Sequence, residues 1–213
     1  MTDSTTKLYL AINTSTTHGA IALITANAHD VHTIAQRDFH TARSHNSALF
    51  VPLNELLESS ENQQIEAIVV GTGPGSYTGV RIGIAAANGL AVARKTRVIG
   101  IPSVLGLCPE HDNFLAVGDA RRGNGYHWKV ANGIPQGNAK ITSNNELLHI
   151  IAESTHPVAT LETLATELGT QPQQIDLKLL VTRYISAPHV FDTNTSVEPI
   201  YLAAPFVTSP KQH

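Results

Sequence analysis

Cysteine, methionine and tryptophan occur once each in these 213 residues, and charged residues make up only 15%. A lone Cys108 excludes an internal disulfide framework and any zinc site built from several cysteines, so a reducing compartment, the cytoplasm, is expected. No apolar run reaches the roughly 20 residues of a membrane span. Residues 82–93 come nearest, and Gly83, Asn88 and Gly89 break them. Residues 1–7 are polar and lack the apolar core of a signal peptide. Excess positive charge is missing too: the formal net charge is −3, which gives no general attraction for nucleic acid. Any RNA contact must come from a local patch or through a partner.

What is present is a globular composition, 42% hydrophobic, that argues against disorder. Histidine is abundant at 11 residues, yet no His-Glu-x-x-His and no i,i+4 pair occurs. His29 and His32 are the tightest pair, in a stretch that reads as a strand, where residues three apart point to opposite faces. Scattered surface histidines are expected, with no metal site, and a metalloprotease is thereby disfavoured.

Hydrophobic periodicity predicts strands over residues 7–12, 20–26 and 31–38, joined by short polar turns as an antiparallel meander. A helix follows on Leu49, Leu53 and Leu56, with Pro52 expected to kink or shift it. Residues 65–71 read as a central strand, 78–94 as a nearly all-apolar helix and 98–101 as another strand. This β-β-β-α-β-α-β order is that of a ribonuclease-H-like unit, of which actin and hexokinase relatives contain two. The second half is less regular: strands at 114–120 and 126–131, a loop at 132–138, a helix over 143–152 capped by Ser143 or Asn144, short helices at 161–168 and 175–185, and a polar linker at 187–196. Residues 197–202 close the ordered part, and the tail after Phe206 reads as loose. The predicted domains are 1–101, and a reduced, degenerate second domain at 102–213 with a C-terminal tail.

The most informative stretch is Gly71-Thr72-Gly73-Pro74-Gly75-Ser76-Tyr77-Thr78-Gly79-Val80-Arg81-Ile82-Gly83, between a strand and a helix. It lacks the Gly-Lys-Ser/Thr ending of a P-loop and the third glycine of a dinucleotide fingerprint. Free helix N–H groups near Tyr77 and Thr78 can still hold an anion, although a glycine-rich turn here is more often a tight connection. In the helix, Gly79, Gly83, Ala87 and Ala91 recur every four residues as a smooth stripe that lets another backbone approach closely. Spacing alone leaves two readings open: the stripe faces this chain's own core, or it faces a second chain.

Leu10-Ala11-Ile12-Asn13-Thr14-Ser15-Thr16, residues 45–52, Gly73 to Gly83, Gly118-Asp119-Ala120-Arg121-Arg122 with Tyr126, and Glu198-Pro199-Ile200-Tyr201-Leu202 together resemble the TsaB family, also called YeaZ. The resemblance implies an α/β, actin-like ATPase fold with a reduced second domain. It implies a non-catalytic scaffold for the catalytic subunit TsaD. With the ATPase TsaE, that subunit transfers a threonylcarbamoyl group to the adenosine beside the tRNA anticodon. It carries partner-interface roles onto Leu49, Leu53, Leu56, Gly79, Gly83 and Ala87, for TsaD or a second copy of this chain. It implies no cofactor of the chain's own, with ATP bound, if at all, in the complex; Asn13, Thr14, Ser15, Thr16, Gly73 and Gly75 are the candidate phosphate-binding residues of a kinase reading. Arg121 and Arg122, and the cluster Arg94, Lys95 and Arg97, are candidate tRNA-backbone contacts set against ordinary solvated charges. Asn13 stands where the family usually has Asp. A neutral amide is a poor magnesium ligand, which argues against metal-dependent ATP chemistry at this turn. The alternative class is an actin-like small-molecule kinase with Asp119 as its base.

Overall fold

The computed structural model describes residues 5–27, 29–40, 45–58, 60, 63–108, 110–161, 173–193 and 195–202, with side chains from Ala48 onward in the 45–58 stretch. Strands β1 (Lys7–Asn13), β2 (His18–Ala26) and β3 (Val31–His40) form the expected antiparallel meander. β4 (Ile65–Gly71) and β5 (Arg97–Ile101) then add in parallel, giving the order β3-β2-β1-β4-β5. Helices α1 (His45–Glu58) and α2 (Tyr77–Arg94) make the β3-to-β4 and β4-to-β5 connections. Pro52 lies inside α1, where it cannot donate to the carbonyl four residues back.

Period-two alternation sends β1 into two cores. Leu8, Leu10 and Ile12 pack with Leu49, Leu53 and Leu56 of α1 and Val80, Ile84 and Ala87 of α2. Tyr9 and Ala11 face the opposite layer, with Leu177, Leu180 and Tyr184 of α4 (Leu177–Ser186) and with Phe114 and Trp128 of a second sheet. A sheet buried on both faces explains why β1 and β4 read as continuous apolar runs.

The second sheet contains β6 (Phe114–Arg121), β7 (Asn124–Ala131), β8 (Ile134–Pro135) and β10 (Val158–Thr160) in the order β10-β6-β7-β8, with β9 (Lys140–Ser143) also paired to β7. Ser143 caps α3 (Asn144–Ala152) by accepting from the Glu146 N–H. The stretch expected as loop over 132–138 contains β8. The expected linker contains a one-turn helix, α5 (Pro188–Phe191), started by a proline that has no N–H to satisfy. Residues 197–202 form no ladder; Ile200 N–H donates to the Thr72 carbonyl at 2.8 Å. Residues 162–168 of the helix expected at 161–168, and the tail after Phe206, lie outside the described residues.

Tyr9 is only 6% exposed and meets Tyr184 edge-on at 6.2 Å. Burial first, then the Glu66 carboxylate, push its phenol from 10.0 up to about 12. Burial raises Tyr126, Tyr184 and Cys108 in the same direction. Because the folded value of Tyr9 lies above the unfolded one, its neutral form contributes stability that is complete below pH 10 and lost as pH rises through about 12. Urea midpoints are expected to fall steeply across that window, and Tyr9→Phe should make the fall shallower.

Candidate functional site

Two surfaces carry the residues singled out in the sequence. The first is the α1–α2 layer. Leu49, Leu53, Leu56 and Ala87 are at most 1% exposed. Gly79 and Gly83 are also buried, because their bare Cα atoms lie against the end of β1. A Cβ on Gly79 would strike the Thr14 carbonyl oxygen, and one on Gly83 would strike the Thr14 hydroxyl. That hydroxyl donates to the Gly79 carbonyl at 2.7 Å. The expectation that Gly79, Gly83 and Ala87 face a foreign helix is therefore corrected: the stripe seats α2 on its own sheet. Leu49 and Leu56 likewise belong to the internal core. A four-residue period reveals a smooth ridge but not which side of the helix the sheet takes.

The open face lies next to that ridge. Ile82, Ala85, Ala86 and Gly89 fall at i, i+3, i+4 and i+7, and with Leu90 they meet Phe50, Leu53 and Asn54 of α1 around an apolar groove of about 490 Å³. Leu53 forms part of its wall, the one buried leucine of the predicted three that does. Phe50 is 45% exposed, Val51 62% and Val92 82%. A Cβ on Gly89 would meet nothing within 4 Å.

The second surface is a cleft of about 310 Å³ between the two sheets. It is walled by the turn after β1, the turn before α2, the end of β6 and residues 199–202. Of the predicted phosphate-binding residues, Ser15, Thr16 and Gly75 line it. Asn13 and Thr14 are buried and engaged elsewhere. The Asn13 amide oxygen accepts from Ser15 Oγ at 2.9 Å and Ser103 Oγ at 3.0 Å, while its amide nitrogen has no partner. Gly73 is tied down as well, its N–H donating to Ser103 Oγ at 3.0 Å. Ser76 N–H donates to the Ser15 carbonyl at 2.6 Å, and Gly79 N–H to Ser76 Oγ at 3.2 Å. The Gly73, Ser76 and Gly79 amides thus lock two loops together, and Asn13, Thr14 and Gly73 are not among the residues that line the cleft.

Among the described residues, Asp119 and Arg121 are the only charged ones lining the cleft, and they pair with each other at 3.6 Å. Asp119 Oδ1 also accepts the Arg121 backbone N–H at 2.7 Å. A kinase base needs a carboxylate free to take a proton, whereas this one closes the hairpin tip. Arg121 and Arg122 sit at that tip with φ of 71° and 58°, and the Arg121 side chain is 83% exposed. Among the described residues no three of His, Cys, Asp and Glu come together as a metal-ligand group. None of the helices described is long and apolar enough to cross a membrane.

Three tyrosines in the cleft went unrecognised as a group in the sequence. Tyr77 and Tyr201 stack at 5.1 Å at the rim, and Arg81 lies 5.2 Å from the Tyr77 ring centre while donating to its hydroxyl at 2.7 Å. Tyr126 is buried over Gly118, where any side chain would collide with its ring, and its hydroxyl has no partner among the described residues. Tyr77 and Tyr201 are 124 residues apart, a proximity that only the fold creates.

The meander-first sheet, the two crossover helices and the inter-sheet cleft define an actin-like chain with a ribonuclease-H-type first sheet. The family model for TsaD, tRNA N6-adenosine threonylcarbamoyltransferase, matches residues 32–142, more than half of the sequence, and the chain belongs to this family. Several of its curated relatives carry the name TsaB. It is 31% identical to the tRNA threonylcarbamoyladenosine biosynthesis protein TsaB of Haemophilus influenzae over 130 residues, 57% of this chain and 52% of that protein. It is 33% identical to TsaB of Escherichia coli over 129 residues, 55% of this chain and again 52% of the relative. The chain therefore spans about half the length of the TsaB relatives it matches. Two solved Pseudomonas aeruginosa structures, one called YeaZ and one described as similar to the peptidase YeaZ, superpose with TM-scores of 0.65 and 0.68. Both are 20% identical and cover 92% of this chain and 100% of theirs, a likeness of fold.

Proposed function

We infer that this chain is a non-catalytic partner subunit that docks on TsaD and supports threonylcarbamoyladenosine formation on tRNA in the cytoplasm. The observation that carries this reading is the open groove between α1 and α2. Gly89 costs an exposed helix interior about 1 kcal/mol relative to alanine, and no described residue comes within 4 Å of where its Cβ would lie. Such a site suits a foreign helix lying flush, with Phe50, Ile82 and Leu90 covered on contact. The same surface serves a second copy of this chain when TsaD is absent. TsaE joins the assembly, and ATP belongs to the assembly rather than to this chain's cleft. Support for that division comes from Asn13 in place of an acidic residue and from Asp119 already paired to Arg121. The exposed tip at Arg121 and Arg122 is the surface offered to the tRNA backbone.

Reconstitution tests this. The purified chain alone is expected to transfer no threonylcarbamoyl group. Added to TsaD, TsaE, ATP, bicarbonate-derived threonylcarbamoyl adenylate and tRNA, it should raise the yield of modified adenosine at least tenfold over the mixture without it, on the order of a 1.4 kcal/mol coupling. No co-elution with TsaD and no stimulation would sink the reading.

A further inference from the structure

Beside β5 lies a separate hollow of about 560 Å³, which shares only Ile200 with the cleft and no residue with the α1–α2 groove. β5 ends the first sheet and pairs only with β4. The Ile101 carbonyl accepts from the Thr72 N–H on the β4 side. Alternation along the strand therefore turns the N–H and C=O groups of Val98 and Gly100 the other way, and both residues line the hollow. Among the described residues no backbone group pairs with them. Sheets commonly blunt such edges with prolines, charges or bulges. β8, which ends the second sheet, carries Pro135, and β3 carries Arg37, Asp38 and a register shift. The Val98-Ile99-Gly100 edge has none of these, and its register with β4 is unbroken. Val197 packs where a Cβ on Gly100 would fall, yet its segment adds no ladder to β5.

The walls of the hollow include Trp128, Phe191, Pro102 and Pro135. Trp128 Nε1–H already donates to the Gly137 carbonyl at 3.0 Å, so the indole has only apolar surface left to offer. Three charged residues line the hollow, and their excess is negative. Arg97 is neutralised by Asp192 and, at 3.1 Å, by Glu66, whereas Glu198 is exposed and pairs with no described residue. We propose that β5 takes an extended, basic segment of a partner protein as an added strand, with an apolar side chain against Trp128 and a lysine or arginine on Glu198. Free backbone groups two residues apart match the repeat of a strand, and the surplus carboxylate selects a basic one over an acidic one or a nucleic acid. This docking goes beyond the TsaD reading and does not depend on it, since its test uses this chain alone.

Trp128 is the chain's only tryptophan, so its fluorescence reports on the hollow directly. Titrating the full chain with the blocked pentapeptide acetyl-Thr-Val-Lys-Val-Thr-amide should shift the emission saturably, with Kd on the order of 100 µM. Methylating alternate backbone nitrogens of the peptide should weaken binding at least ~10-fold in one of the two phases. Glutamate in place of the peptide's lysine should weaken it about threefold, and Glu198→Gln, a surface change, should erase that difference. Butylamine should leave the emission unchanged. The proposal is overturned by no saturable shift, by full affinity in both methylated peptides, by equal affinity of the lysine and glutamate peptides, by a lysine preference that survives Glu198→Gln, or by butylamine matching the peptide, which would make the hollow an amine pocket.

Discussion

Ala85→Arg is expected to abolish pairing with TsaD while leaving the chain folded. Ala85 is exposed on α2 and lines the groove beside Ile82, Ala86 and Gly89. Arginine is nearly as good a helix former as alanine, so the isolated chain should keep its stability within about 0.5 kcal/mol. In a packed helix pair, with axes roughly 8–10 Å apart, the same side chain has no room and its charge no partner. An unpaired buried charge costs about 3–5 kcal/mol, so association should weaken at least ~100-fold. Leu148→Arg is the control: Leu148 is 47% exposed on α3, which is not part of the groove, and its replacement should leave affinity unchanged. Calorimetry against TsaD reads both. Full affinity in Ala85→Arg would remove the α1–α2 groove as the docking face and leave the fold unaffected.

The first sheet was legible in the sequence because its order follows from local patterns. β1 and β4 are apolar runs bounded by polar turns, and α2 lies between a capping Ser76 and a left-handed Lys95. The second sheet was legible only where a strand is long. β6 stands out as eight residues, whereas β10 is Val158–Thr160 and exists because it pairs with Leu115 to Val117, some forty positions earlier. Three residues carry no periodicity, so no local signal could announce them. The site followed the same division. Ser15, Thr16 and Gly75 were legible as turn residues and do line the cleft. Asn13 and Thr14 carry the same polar signature, but their side chains turn inward to Ser103 and Gly79. A sequence shows that a turn is polar; which of its atoms the neighbouring elements occupy is set by tertiary contacts. The Tyr77, Tyr126 and Tyr201 group was hidden for that reason.

Gly79→Ala and Gly83→Ala give the sharpest contrast between an internal ridge and a docking ridge, because the two readings differ in sign. On an outward-facing ridge each alanine would relieve a helix glycine and stabilise the chain by about 1 kcal/mol, harming only association. Here a methyl at Gly79 meets backbone, the Thr14 carbonyl oxygen, which can withdraw only if the end of β1 moves. A methyl at Gly83 meets the Thr14 hydroxyl and endangers its 2.7 Å bond to the Gly79 carbonyl. Overpacking of this kind costs about 1–3 kcal/mol, and a lost buried hydrogen bond adds roughly 1 kcal/mol, against the propensity gain of about 1 kcal/mol. Gly83→Ala is thus expected to lose about 1–3 kcal/mol, a fall in Tm of about 2–12 °C for a chain of this size, and Gly79→Ala, which breaks no hydrogen bond directly, up to about 2 kcal/mol. Gly89→Ala should move the other way, up by as much as about 1 kcal/mol, since nothing lies within 4 Å of the added methyl. Thermal melts of the three variants side by side decide it: a rise in all three would mean that α2 does not seat its glycines on β1, and the placement of the docking face on Ile82, Ala85, Ala86 and Gly89 would fall with it.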